Sequence, residues 1–315
     1  MHYIGESIAV AVSVSWTLAA LFSEAATKRM GVLNLNVVRM VLSMLFISLL
    51  LLCFTGSPLP SHTTPRAWLW LGMSGLVGYT FGDICLFRSY LIIGSRFGQL
   101  FMTLAPIAAS IAGWAILGQS MSLKSIAAML IVIGGIAMSV LTRKGGDEHH
   151  HHKHLSFKMP LSGVLYGIGA GVGQGVGLVL SGKGMEYYSL NIPEGADAVR
   201  WLMPFSSTFM RAVFGGTSFI LLMGLRHKFG SLGRSVRDIK AMGATFGATM
   251  TGPFIGVSMS LMALRYTSAG IAQTLMSLTP VFILLPSYFL FKQKITKLEV
   301  VGTIISVLGA SLFFL

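Results

Sequence analysis

The sequence predicts an all-α polytopic membrane protein whose ten transmembrane helices form two inverted five-helix repeats. Three observations carry this expectation. The first is composition: of 315 residues, 54% are hydrophobic and only 10% charged, against roughly 25% charged in an ordinary soluble domain. The mean hydropathy is +0.75. Second, apolar runs of about 20 residues recur along the chain, each able to cross a bilayer core of about 30 Å as a helix. Lipid offers backbone N–H and C=O groups no partner, so such runs must be helical. Third, the chain repeats itself. Gln99, Met102, Leu104, Pro106, Gln119 and Gly135 recur as Gln273, Met276, Leu278, Pro280, Gln293 and Gly309, each 174 residues on (273 − 99 = 174). Gly78 and Gly82 recur as Gly252 and Gly256 at the same spacing. One register held over about seventy residues marks an internal duplication.

Ten spans follow from the apolar runs. The first five are Ile4–Ala26, Asn34–Phe54, Ala67–Leu91, Gly98–Leu117 and Leu123–Leu141. A polar linker, 142–160, leads to Leu161–Ser181, Pro204–Leu225, Met242–Leu264, Ala269–Phe291 and Leu298–Leu315. Residues 4–141 thus form the first repeat and 161–315 the second. Five is odd, so the second repeat enters the membrane from the opposite face and the duplication is inverted. No cleavage site follows the first span, which is expected to stay.

Loop charge sets the orientation. Loops after odd-numbered spans carry fifteen Lys and Arg, and loops after even-numbered spans carry five. The positive-inside rule then places both termini outside and the linker in the cytoplasm. The same loop bias accounts for the net charge of +13, and no basic stripe with interleaved aromatics points to nucleic acid. Cys53 and Cys85 both fall inside spans and read as small buried hydrophobes.

The linker holds His149–His152 and His154. Neutral imidazoles ligate metals, but no ordered spacing or carboxylate partner accompanies them, so a solvated tract is the alternative. In the sixth span Gly167, Gly171 and Gly175 recur every four residues and line one helix face, which permits close helix approach. Gly177 to Gly184 approximates a phosphate-binding loop, yet Gly184 stands where Ser or Thr must hold Mg²⁺ and no strand precedes it. Nucleotide binding there is excluded. Between the sixth and seventh spans the second repeat has an insert, Glu186 to Met203, in which Asn191 to Glu194 resembles a helix start.

Charge within a bilayer is costly, so each intramembrane ionisable residue is a functional candidate. Arg39 and Arg211 occupy similar places in the second and seventh spans (211 − 39 = 172). Asp83, midway along the third span, is expected to face the interior, pairing with Arg39 or Arg88 or carrying a proton. Glu24 reads as a boundary partner for Lys28. Gln99 and Gln273 each precede a proline, Pro106 and Pro280, by seven residues, about two turns. Glutamine and proline then share a face, and the proline opens backbone polarity toward the interior. Thr103 and Ser277, with Thr279, add hydroxyls. These residues form the expected substrate pathway, with interhelical hydrogen bonding as the alternative for the glutamines. Trp16 and Tyr79 line a cavity or simply pack.

The two five-span halves, Ser268-Ala269 through Leu278-Thr279-Pro280-Val281-Phe282, and the weaker copy Leu104-Ala105-Pro106-Ile107 resemble the drug/metabolite transporter superfamily in its ten-helix EamA-like form. Arg39 and Arg211 match the arginine often seen early in the second span of each half. Gln119 and Gln293 stand where that family usually has Glu. The resemblance implies a secondary transporter, multi-pass in the plasma membrane, that exports or exchanges a small amino-acid-like or drug-like metabolite. No His-Asp constellation, HExxH or nucleophile elbow lies in any span, so no enzyme activity is expected; no cofactor or bound metal is expected, and coupling to H⁺ or another ion is open. Two alternatives stand beside it: a metal-cation exporter sensing through the His-rich linker, and a non-transporting membrane sensor.

Overall fold

The computed structural model describes residues 3–141, 160–227, 229–282 and 297–312. The His-rich tract, Gln293 and the second half of the ninth expected span lie outside the described residues. Among the described residues the chain is helical and contains no strand. Six helices are long and apolar enough to cross a membrane: α1 (Ile4–Met30), α2 (Val32–Thr55), α3 (Pro65–Gly94), α6 (Leu161–Ser189), α7 (Asp197–Leu225) and α9 (Ile239–Ala263). Shorter apolar helices are α4 (Ala105–Leu117), α5 (Leu123–Leu141) and α12 (Lys297–Ser311). The described residues also include the surface helix α8 (Phe229–Arg237) and the pair α10 (Ala269–Met276) and α11 (Thr279–Phe282).

The distribution of side chains suits lipid. Leu45, Leu49, Trp114 and Leu221 stand exposed, whereas Ser13, Thr17, Ser207 and Thr208 are buried. Buried hydroxyls donate one turn back: Thr17 to the Ser13 carbonyl (2.9 Å), Ser207 to that of Met203 (2.8 Å). Such bonds satisfy a polar group that lipid would leave unpaired. Cys85 is buried as expected, but Cys53 is exposed on the apolar outer face of α2. Glu24 pairs with Lys28 at 2.7 Å, as their spacing predicts.

Local sequence explains where helices start and stop. Thr64 caps α3 by accepting the Ala67 N–H, with Pro65 at the first helical position. Gly56 and Gly118 end α2 and α4 in the left-handed conformation (φ +73° and +65°) that glycine adopts without strain. The insert departs from its expected form. Residues 191–196 form a turn rather than an Asn-capped helix, and α7 begins at Asp197, so Pro204 falls inside it. Pro204 has no N–H to give the Arg200 carbonyl; Arg265 Nη1 donates to that carbonyl instead, at 3.0 Å.

Two helices are not regular. α3 is π-helical over Gly75–Asp83 and α9 over Met250–Val257. Adding 174 to 75 and 83 gives 249 and 257, so the wide turns fall at corresponding places. A 3₁₀ turn, Met102–Leu104, precedes α4, and of the corresponding residues 276–278 Met276 ends α10 while Ser277 and Leu278 separate it from α11.

Packing crosses between the two stretches. α1 packs on α9 and α10; α6 packs on α3 and α4; α2 packs on α7, and α5 on α12. Each contact has a counterpart when the stretches are exchanged. In the last pair, a Cβ on Gly309 would meet the Val132 backbone N at 3.0 Å, and one on Gly135 the Ser306 hydroxyl at 2.5 Å. These are the same two positions exchanged (135 + 174 = 309; 132 + 174 = 306). The glycine face of α6 packs as its spacing predicts: a Cβ at Gly171 would meet the Phe101 carbonyl at 2.5 Å. Gly173 and Gly177, on another face, lie against Gly82 and Gly78 of the α3 π segment.

Candidate functional site

Where α1, α2, α3, α6, α7, α9 and α10 meet, they leave a cavity of about 70 Å³. At about 15 Å³ per water-sized group, that is room for roughly five such groups. Its wall contains Arg39, Asp83, Gln99, Arg211, Gln273 and Ser277, with Trp16, Phe87 and Met276 as apolar surface. The expected pathway residues thus converge, with one exception. Thr103 is buried but is not part of the wall; in the 3₁₀ turn neighbouring residues diverge by about 120°, and Met102 takes the cavity side. Pro106 is buried in the first turn of α4, and Pro280 stands second in α11. The carbonyl that Pro280 leaves free, that of Met276, accepts the Thr279 hydroxyl at 2.9 Å.

Burial decides what each polar group does. Arg39 is 2% exposed and Asp83 5%. They pair at 3.3 Å, and Arg39 also donates to Asn36 Oδ1 at 3.1 Å. Gln174 Nε2 donates to Asp83 Oδ1 at 2.8 Å and to the Gly78 carbonyl at 3.1 Å. A buried ion pair is helped when its remaining lone pairs and protons find partners; Asn36 and Gln174 supply some of them, while Arg39 Nε is buried without a hydrogen-bond partner. Arg88, the other partner open to Asp83 from sequence, instead donates to the Tyr166 hydroxyl. Gln99 Nε2 donates to the hydroxyl of buried Tyr90. Ser277 donates to the Gln273 carbonyl at 2.8 Å.

Arg211 shares the unpartnered Nε and the aromatic neighbour with Arg39, which lies over Phe87, but differs in its counterion. It is 3% exposed, its guanidinium lies 4.7 Å from the centre of the Tyr79 ring, and its Nε is buried without a hydrogen-bond partner. Among the described residues no carboxylate pairs with it. Both arginines reach across to the opposite stretch: a Cβ at Gly78 would meet Arg211 Nη2 at 2.8 Å, and one at Gly252 would meet Arg39 Nη2 at 3.3 Å. Since 78 + 174 = 252, the two glycines of the repeat each make room for one guanidinium.

Gln174 is the residue that sequence reasoning missed. The glycines around it drew attention to packing, yet a lone amide in an otherwise apolar, glycine-rich span carries the same signal as Asp83. Chemically the wall offers one ion pair, one guanidinium without a counterion among the described residues, three amides (Gln99, Gln174 and Gln273) and several hydroxyls. None of its described residues is His, Cys or Lys, and the set suits binding a polar molecule.

The profile of the EamA-like transporter family matches residues 3–141 and 161–315. The chain belongs to the EamA-like transporter family. An uncharacterized transporter of Archaeoglobus fulgidus (strain ATCC 49558 / DSM 4304 / JCM 9628 / NBRC 100126 / VC-16) is 32% identical over 114 residues, 36% of this chain and 38% of that relative. A crystal structure described only as that of a protein superimposes with a TM-score of 0.67 at 15% identity, covering 99% of this chain and 97% of the other. That likeness shows a shared fold. Membership of this family, and a relative named a transporter of which the alignment covers 38%, support a membrane transporter of the drug/metabolite type.

Proposed function

We propose that this EamA-like protein is a secondary transporter that exports or exchanges a small metabolite by alternating access through the central cavity. It is not an enzyme in this reading. Ten spans cross the plasma membrane as two inverted five-helix repeats, 4–141 and 161–315, with both termini outside and the linker 142–160 in the cytoplasm. The observation that carries this reading is the crossing pattern. Wall residues come from both stretches, and the interhelical contacts around the cavity recur with the stretches exchanged. A binding site at the junction of two repeats can open to either face by rocking one bundle against the other. Arg39, Asp83, Gln99, Arg211, Gln273 and Ser277 border the pathway. Asp83 is the candidate coupling group: a proton on it would release Arg39, which links ion binding to the geometry of the wall.

The test works without a named substrate. Liposomes containing the full chain are loaded with a cell-derived small-molecule extract, and the molecules that leave are identified by mass spectrometry. Release of a discrete subset, absent from protein-free liposomes, supports transport. Retention of every component under both ion gradients and exchange conditions would favour a non-transporting sensor.

A further inference from the structure

The two repeats are not chemically equivalent at the cavity. Arg39 has Asp83 as counterion, and the residue corresponding to Asp83 is Val257 (83 + 174 = 257). Val257 stands in the same wall as Arg211. The second arginine therefore occupies a repeat position whose carboxylate is missing. The same holds for the glutamines. Gln99 is held by Tyr90, and the residue corresponding to Tyr90 is Leu264 (90 + 174 = 264). Among the described residues the Gln273 amide makes no hydrogen bond, although Gln273 is 9% exposed and lines the cavity. Among the described residues, one side of the cavity gives its cation a counterion and its amide a hydrogen bond, and the other leaves its cation without a counterion and its amide without a hydrogen bond.

With Asp83 ionised, Arg39 and Asp83 cancel, and the wall carries one net positive charge from Arg211. An uncompensated guanidinium in a membrane interior is strongly unfavourable, and a planar carboxylate is the group its fork of N–H donors matches. We propose that the cavity binds a small organic monoanion whose carboxylate pairs with Arg211 and sits where an acidic residue at 257 would reach, with Gln273 hydrogen-bonding beside it. The apolar surface of Trp16, Phe87 and Met276 then faces the body of the molecule. A dianion such as a phosphate monoester would leave one charge unmatched. This assignment rests on the transport reading for its purpose, but its binding test is independent of flux.

Acetate is the minimal probe, with acetamide as its neutral isostere. Thermal unfolding of the detergent-purified full chain is followed while each is titrated at constant ionic strength, since a ligand of the native state raises apparent stability. Acetate should raise the melting temperature saturably and acetamide should not. Arg211→Gln should weaken the apparent acetate affinity by about tenfold or more, the scale of one lost charge-assisted contact. Val257→Asp supplies the missing carboxylate from within. It should melt higher than the parent without acetate and show no acetate response, while Val257→Asn should keep the response. Equal effects of acetate and acetamide, no effect of either, or an acetate response that is the same in Val257→Asp and Val257→Asn would each overturn the proposal, even if Arg211→Gln fails to fold. Acetate binding without release from loaded liposomes would remove transport and leave the anion site. Release that Arg211→Gln leaves unchanged, with no acetate response, would do the reverse.

Discussion

Gln99 and Gln273 share their sequence surroundings but not their chemical state, and the difference can be measured. Gln99→Ala removes the partner of the buried Tyr90 hydroxyl, so it should lower stability by about 1–3 kcal/mol and change transport in proportion to folded protein. Gln273→Ala leaves no buried group behind. It should leave the melting temperature almost unchanged and slow initial transport about 5- to 30-fold, the equivalent of one hydrogen bond of roughly 1–2 kcal/mol. Measuring melting and initial rate on both variants checks this; equal transport loss per folded molecule in the two would contradict it. Asp83→Asn strands Arg39 at 2% exposure and should destabilise by about 3–5 kcal/mol, read from denaturation in mixed micelles. At this scale the sequence was informative about identity and silent about pairing. Arg39, Asp83 and both glutamines were recognisable because polar groups in apolar runs are costly. Whether Asp83 meets Arg39 or Arg88 depends on which face of α3 turns inward, and a nine-residue π segment shifts that face in a way helical periodicity does not reveal.

Helix ends and crossings yield two more expectations. In the parent, Arg265 serves the carbonyl that Pro204 leaves open. Arg265→Ala should therefore cost about 1 kcal/mol in the parent and less in a Pro204→Ala background, where residue 204 regains its N–H. A double-mutant cycle measures the coupling, and strict additivity would exclude the contact. Asp238 caps α9 through the Lys240 and Ala241 N–H groups (3.0 and 3.1 Å) and pairs with Arg29 at 2.9 Å. The Ala241 N–H, then Arg29, hold its carboxyl below the ordinary value of 3.8. A carboxyl lowered on folding contributes stability above its unfolded pKa, and that contribution fades as pH falls through the folded one. The melting-temperature gap between the parent and Asp238→Asn should be flat from neutral pH to about pH 5 and should shrink below about pH 4. A gap that widened in acid would contradict this. The helical class was legible from hydropathy, and six helices among the described residues are long and apolar enough to span a membrane. The insert was not legible: Asn191 and Glu194 look like a cap, but Asn191 donates to the His62 carbonyl, a tertiary contact that outweighs the local signal.

For the molecule as a whole, the constant offset of 174 exposed the duplication in the sequence because identical residues sit at the helix breaks and glycine contacts. α1 and α6 escaped it. Ser15 donates to the Thr251 carbonyl at 2.7 Å, and a Cβ at its counterpart Gly173 would meet the Val77 carbonyl at 3.1 Å. This pairing gives an offset of 158 (173 − 15), which only scattered identities mark (Gly5 and Gly163, Val14 and Val172, Ser23 and Ser181). Reporter fusions at Leu315 and near Gly146 should place the first outside and the second in the cytoplasm; the opposite pair of signals would invert the topology. The central claim, that one cavity opens to both faces, is tested most directly by chemical access. Cys53 and Cys85 are replaced by serine, a cysteine is placed in the wall as Met276→Cys, and oriented vesicles are treated from one face or the other with a membrane-impermeant maleimide. Alternating access predicts modification from either face, at rates that shift in opposite directions when a ligand or ion gradient favours one opening. Modification from one face alone, under every gradient, would contradict it.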